Sequence, residues 1–422
     1  MSAAEGPAPT LHGGAAARSP VRGLELGTLW LLGLAGAFVF IEPSPYEAVA
    51  LLALCLFAAT GLRLTPSILV LAVLLIAFNL GGSLSLLPFL GEQRAVQFVA
   101  VSWYLAVTAV FLAMVVRDDT LARLEALKGG YIVAALVASS AGILGYFDVA
   151  GLGDLFSFNE RASGTFKDPN VLGPFAVLPL VWLAQDMLAG RGAASPRALA
   201  FGVILFGGVF LSFSRGAWAH AAGSIGLLVL LTFLTAPSPR LRRRIVLASV
   251  AGAALLVAGL IVALSFESIR AMFELRASLV QDYDGGVTGR FGNQLRSISE
   301  LLERPNGFGP VRFRFHFPED PHNVFVNAFA SYGWLGGVSY LALVAATLVI
   351  GWRLVFRRSA WQGHAIAVWA TLFVEILQGL QIDTDHWRHW WLMLGLIWGL
   401  SSIATGSGDA ARSLYRPIEA GR

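Results

Sequence analysis

Four residues spread along the 422-residue sequence are of the types that grip a phosphate or move a proton: Arg161, Arg215, Arg290 and His322. Arg161 opens the run Arg161-Ala162-Ser163-Gly164-Thr165-Phe166-Lys167-Asp168-Pro169-Asn170, directly before an apolar stretch. Arg215 sits in Ser214-Arg215-Gly216, wedged between two apolar stretches with almost no loop. Arg290 follows Thr288-Gly289 and opens an amphipathic repeat, which places its guanidinium near a helix N-terminus. An arginine at the edge of an apolar stretch is costly unless something compensates it. A single arginine can snorkel to lipid phosphate, whereas three in different loops suit a shared anionic ligand. The guanidinium fork pairs bidentately with phosphate oxygens, and a diphosphate has enough of them for several forks, so the expected ligand is a lipid diphosphate rather than a carboxylate.

His322 lies in Pro321-His322-Asn323, at the start of another apolar stretch. An interfacial histidine is often structural. A helix N-terminus, however, disfavours the imidazolium and leaves a neutral ring able to accept a proton. Beside an arginine-bound diphosphate such a ring could act in acid-base chemistry. A second polar segment, Asp383-Thr384-Asp385-His386-Trp387-Arg388-His389, precedes the last apolar stretch. Its carboxylates and histidines have only a weak metal-site pattern; an interfacial polar and aromatic belt is the competing reading, and the segment could line the acceptor side. Asp383, Asp385, His386 and Arg388 are therefore secondary candidates. Glu375, inside an apolar stretch, is either functional or paired with a neighbouring helix.

The elements that must position these groups are membrane helices. The chain is 56% hydrophobic and 13% charged, against about a quarter charged in soluble domains, which excludes an ordinary soluble fold. Its apolar runs are of the length that crosses roughly 30 Å of hydrocarbon at about 1.5 Å per residue. Twelve helices are expected near 24–41, 47–60, 66–80, 96–116, 130–146, 170–188, 199–213, 216–234, 245–264, 323–352, 365–380 and 390–405. The single Cys55 lies in an apolar run, so no internal disulfide or thiol pair is available. Residues 1–22 are rich in Gly, Ala and Pro, with Arg18 and Arg22 just before the first run and no small-residue cleavage site, as in an uncleaved start-transfer helix.

Basic residues fall in alternate loops: Arg63; Arg117, Arg123 and Lys128; Arg191 and Arg197; Arg240, Arg242, Arg243 and Arg244; Arg353, Arg357 and Arg358; Arg412, Arg416 and Arg422. Because cytoplasmic loops carry the excess of Arg and Lys, both termini are expected inside. Arg94, Arg161, Lys167, Arg215, Arg388 and the long segment 265–321 then lie outside. Phe266, Ile269, Met272 and Phe273 repeat at helical spacing there, as do Leu295, Ile298, Leu301 and Leu302. Two amphipathic helices joined at Asp284-Gly285-Gly286 are expected, lying on the bilayer or covering a site. The expected fold is thus an all-α, polytopic membrane helix bundle of about twelve spans with one long external loop. It divides into a tail (1–23), nine spans (24–264), the loop (265–322), three spans (323–405) and a second tail (406–422).

On these residues the chain resembles the O-antigen ligase and polymerase superfamily. His322-Asn323, nine residues, then Gly333-Trp334-Leu335-Gly336 fits the His-Asn-x9-Gly-x-x-Gly signature of O-antigen ligases. Arg161 with Gly164, Phe166 and Asn170 looks like another motif of that superfamily, as do Ser214-Arg215-Gly216 and Asn306-Gly307-Phe308-Gly309. The resemblance implies a periplasmic-face enzyme of the bacterial inner membrane that transfers glycan from an undecaprenyl diphosphate donor without metal, nucleotide or other cofactor. It implies that Arg161, Arg215 and Arg290 hold the diphosphate, with Lys167, Asn170, Ser214 and Asn323 in the binding set, while His322 activates the acceptor hydroxyl with inversion. The implied partners are the lipid-linked glycan, a lipid A core or growing-glycan acceptor and membrane lipids; nucleic acid is not among them. An O-antigen or exopolysaccharide polymerase is the close alternative, and a transporter of an anionic substrate the more distant one.

Overall fold

The computed structural model of the chain describes residues 20–40, 44–190, 195–277, 286 and 289–414, with side chains described as far as Ile403. Arg18, Arg191, Asp284, Gly285, Thr288, Arg416 and Arg422, and the side chain of Arg412, lie outside the described residues, as do most of both expected tails.

Fifteen α-helices run through the described residues: α1 Pro20–Ala35, α2 Pro45–Thr60, α3 Pro66–Leu86, α4 Gln93–Val115, α5 Thr120–Tyr146, α6 Gly153–Phe156, α7 Pro169–Ala189, α8 Pro196–Leu211, α9 Arg215–Thr235, α10 Pro239–Leu264, α11 Glu267–Ala277, α12 Arg290–Leu301, α13 Val324–Val355, α14 Gln362–Gln378 and α15 Arg388–Leu414. Each of the twelve apolar runs overlaps one of them, the first run outlasting α1, which ends at Ala35. Seven, counting α3 with its short extension to Phe89, are long and apolar enough to cross a membrane, and α2 and α8 are shorter apolar helices. The protein is a multi-pass membrane protein of all-α type. Five helices start in the same way: Ser44, Thr65, Asp168, Ser195 or Ser238 accepts a hydrogen bond from a first-turn N–H, and a proline follows in the first turn. The proline gives up a donor that would have been orphaned there, and the polar side chain satisfies another.

Two helices begin well before the expected positions, and charge explains it. α5 starts at Thr120 rather than near 130 and carries Arg123 and Lys128 inside it. Arg123 donates to Glu25 Oε2 and to Val115 O, both at 2.8 Å, and Lys128 Nζ is 2.6 Å from Asp186 Oδ2. These pairs compensate charges that end an apolar run on paper but not in the helix. α10 likewise starts at Pro239 and includes Arg240 to Arg244, which are largely exposed.

The bundle packs α13 against α3, α1 against α5, α15 against α4, α14 against α9, and α7 against α8 and α9. Trp390, Trp391 and Trp398 of α15 are fully buried, and the Trp398 indole donates to Thr347 Oγ1 at 2.9 Å.

α13 is broken at Gly333, whose φ of 65° and ψ of −171° is a conformation essentially closed to other residues. A side-chain carbon there would stand 2.6 Å from Pro305 O. The break diverts the Trp334 N–H to Pro305 O at 2.8 Å, while Phe308 and Gly309 N–H donate to the freed Ala330 carbonyl at 2.8 and 3.1 Å. The 306–309 turn and the Gly333 kink thus complete each other's backbone hydrogen bonding. That link fixes the segment before His322 to the helix that follows it.

Candidate functional site

Arg161 is placed by a two-residue hairpin. Asn159 and Glu160 both adopt positive φ, as a tight hairpin turn of this length requires, and Ser157–Phe158 pairs antiparallel with Arg161–Ala162. Arg161 is buried beneath it; its Nε donates to Ser212 O and its Nη2 to Asn170 Oδ1, both at 2.8 Å. Gly164 has positive φ, and a Cβ on it would lie 2.3 Å from Ala138 O, so the 163–166 segment sits directly on the backbone of α5. Asp168 caps α7 by accepting the Asn170 N–H at 2.8 Å. Lys167, between them, is exposed.

The carbonyl held by Arg161 belongs to the short turn that joins α8 to α9. Phe213 there takes positive φ, and the Ser214 hydroxyl caps α9 by accepting the Ala217 N–H at 3.4 Å. Arg215 is then the first residue of α9, half-buried at a helix end whose free N–H groups favour an anion. Arg161 and Asn170 therefore set the turn from which Arg215 projects.

Arg290 also opens a helix, α12. Most apolar residues along this helix are exposed, namely Phe291, Leu295, Ile298 and, at its end, Leu302, with Leu295 at 74%. Its buried residues are polar, Asn293, Gln294 and Ser297, apart from Leu301. A helix on a soluble core would be turned the other way. This one turns most of its polar side chains toward the protein and leaves an apolar stripe uncovered.

His322 is half-buried and in the left-handed backbone region, φ 44°, a strain of about 1–3 kcal/mol for a residue other than glycine. Burial pushes the pKa of its imidazole below the ordinary value, and the nearby Arg290 guanidinium pushes it the same way. Asn323 caps α13, its Oδ1 accepting Phe325 and Val326 N–H at 3.0 and 3.2 Å. Its Nδ2 donates to Gln294 Oε1 at 3.3 Å, and Asp383 Oδ1 accepts its backbone N–H at 3.1 Å. Burial, reinforced by the Asp385 charge, pushes the Asp383 carboxyl up to about 8.

The other secondary candidates face inward or toward other helices. Asp385 is buried and its Oδ2 accepts from Asn327 Nδ2 at 3.3 Å and Tyr332 OH at 3.2 Å. His386 links Asp385 Oδ2, at 3.1 Å, to Phe98 O, at 3.0 Å. Phe98 O only accepts, so Nε2 carries a proton there, while Nδ1 shares a hydrogen bond with the Asp385 carboxyl. Burial opposes the imidazolium, but the Asp385 charge outweighs it and the His386 pKa is raised. Arg388 pairs with Glu47 at 2.5 Å and lies over the Tyr46 ring. Glu375 has a helix partner: His389 Nε2 of α15 is 3.0 Å away, with both side chains buried. Among the described residues, no three His, Cys, Asp or Glu side chains gather into a metal-holding group.

The arginine turn and the helix start that follows the histidine loop both reach the end of α14. A Cβ on Gly216 would lie 2.8 Å from Gln378 Nε2, and the next carbonyl, Gly379 O, accepts the Val324 N–H at 2.8 Å. Gly379 also lies against Thr384. Beside His322 a cavity of about 560 Å³ runs between α12 and α13, lined by Ile298, Leu302, Val326, Phe329 and Trp334, with Asn323 among its wall residues. Sequence reasoning singled out Arg215, Arg290, His322, Asn323 and Asp383 but missed Gln294 and Gln378, whose only signal is a polar face opposite an apolar stripe or at a helix end.

No curated protein matches the chain. Residues 200–341, about a third of the chain, match the family model described as O-Antigen ligase, a stretch that contains Ser214, Arg215, Arg290, His322 and the Gly333–Gly336 kink. This match supports the O-antigen ligase superfamily, and with it a membrane enzyme of ligase or polymerase type; of the resembling motifs, those at 214–216, 306–309 and 322–336 fall inside it and the one at 161–170 outside.

Proposed function

We propose that the protein is an O-antigen ligase: a periplasmic-face, inverting glycosyltransferase that moves a glycan from undecaprenyl diphosphate to the lipid A core. The observation that carries the reading is that the Ser214-Arg215 turn and the start of α13, just after His322-Asn323, both pack against the end of α14, at Gln378 and Gly379. Arg215 and Arg290, each at a helix N-terminus, take the diphosphate, and Arg161, Asn170 and Ser214 fix the turn that carries Arg215. Lys167 adds positive charge at the exposed rim. The neutral His322 ring accepts the proton of the acceptor hydroxyl as its oxygen attacks the anomeric carbon and the bond to the diphosphate breaks. A single in-line displacement inverts that carbon. The charge that develops on the leaving group falls on guanidiniums already in place, so the groups that bind also accelerate. The apolar cavity beside Asn323 suits a prenyl chain.

The test is a reconstituted reaction in detergent with an undecaprenyl-diphosphate glycan, a lipid A core acceptor, a chelator and no nucleotide. A ligase moves the whole glycan to the core and leaves undecaprenyl diphosphate. A ladder of lengthened lipid-linked glycans without core transfer would make the protein a polymerase. Movement of labelled donor across a sealed liposome with neither product would make it a transporter. Strict dependence on a divalent cation would contradict the arginine mechanism.

A further inference from the structure

His322 holds a backbone conformation that needs support, and two elements far apart in sequence provide it. From α12, the Gln294 amide donates to Pro321 O at 2.8 Å, reaches His322 O at 3.5 Å and accepts from Asn323 Nδ2 at 3.3 Å. One buried side chain thereby touches three consecutive residues. From the segment between α14 and α15, Asp383 Oδ1 accepts the Asn323 N–H at 3.1 Å. The peptide groups on both sides of His322 are thus held by side chains. Strained residues of this sort persist only where their surroundings over-determine them.

We propose that Gln294 and Asp383 are positioning residues, a two-sided clamp on the His322 backbone that aims the imidazole at the acceptor hydroxyl. The proposal rests on the role given to His322 above. Asp383 acts in it as a hydrogen-bond acceptor and not as a base, since its oxygen can take an N–H in either protonation state. Gln294 couples the clamp to α12, the helix that also carries Arg290, so seating that helix sets the anion-binding group and the proton acceptor together.

Among the described residues, the charged and titratable groups around His322 are Arg290 from α12, Arg314, Glu319 and Asp320 from the segment before it, and Asp383 from the α14–α15 connection. With the clamp intact, burial and Arg290 keep the ring neutral to lower pH than a free imidazole. Without it the ring can swing toward water, and the acid limb of the rate profile should move up toward about 6.5.

The experiment compares Gln294→Ala, Asp383→Ala, Asp383→Asn and His322→Ala in the purified full chain, with the lipid-linked donor titrated at several pH values. The two clamp alanines should lower kcat by roughly 10- to 100-fold, as a small misplacement of a catalytic group does, with donor KM within about twofold and the acid limb displaced upward. Asp383→Asn should restore most of the kcat that Asp383→Ala loses, because its amide oxygen still accepts the Asn323 N–H. Unchanged kcat in either alanine variant overturns the clamp. So does a raised KM with an unmoved acid limb, which is a binding or folding defect, and so does an Asp383→Asn as slow as Asp383→Ala, which makes the charge the essential feature. A His322→Ala protein that transfers at the wild-type rate removes the underlying role of His322 and the clamp with it. A slow His322→Ala beside unaffected Gln294→Ala and Asp383→Ala removes the clamp alone.

Discussion

His322→Ala is expected to lower kcat for glycan transfer by about 10²- to 10⁴-fold, the usual contribution of a positioned general base, while donor binding stays near wild type. The imidazole is asked to accept a proton, so only its neutral form works. Burial and the Arg290 charge lower the His322 pKa, which keeps the ring neutral through physiological pH. The wild-type rate should therefore be flat near neutrality and fall only below about pH 6.5, as falling pH protonates the ring. Steady-state rates and donor affinity across that range check both statements. A correctly inserted His322→Ala protein with wild-type transfer would leave the site without its proton acceptor.

Arg215→Ala should act on binding and rate together. Its guanidinium would touch the diphosphate before and during bond cleavage, so KM should rise and kcat fall. Loss of a bidentate pair, at about 1.5–3 kcal/mol for each charged hydrogen bond, should cost about 10²-fold or more in kcat/KM. Arg215→Lys should recover little, because an ammonium cannot reproduce the fork. The ratio of kcat/KM values for the three proteins is the measurement. A change in kcat alone would mean that Arg215 touches only the transition state, and full recovery by lysine would mean that it supplies charge without geometry.

Much of the fold is legible in the sequence because lipid enforces a simple rule: a long apolar run must close its own backbone hydrogen bonds, and a helix does so. Each of the twelve apolar runs overlaps a helix for that reason. The starts of α5 and α10 are not legible from hydropathy, since Arg123 and Lys128 look like loop charges until Glu25 and Asp186 arrive from other helices. The spacing of Leu295, Ile298 and Leu302 shows an amphipathic helix, yet whether that stripe faces protein or lipid depends on what surrounds it. Gln294 was missed on this account: the polar face, not the apolar one, turns inward. Asp383 stands out as part of a polar run, but its attachment to Asn323, sixty residues away, is a tertiary fact. The Asn306–Gly309 and Gly333–Gly336 motifs were visible as motifs, while their shared purpose became clear only from the carbonyl of Ala330.

The central claim is that residues from the Arg215 turn, the start of α12 and the His322 loop surround one diphosphate. A lipid-linked glycan bearing a photoreactive group next to its diphosphate tests this most directly, with the adducts on the full chain mapped after irradiation. Adducts are expected in 161–170, 214–216, 290–294 and 321–323, suppressed by excess unlabelled donor and weakened in Arg215→Ala. Adducts confined instead to the basic start of α10, around Arg240 to Arg244, would place the diphosphate at a different part of the chain and contradict the account.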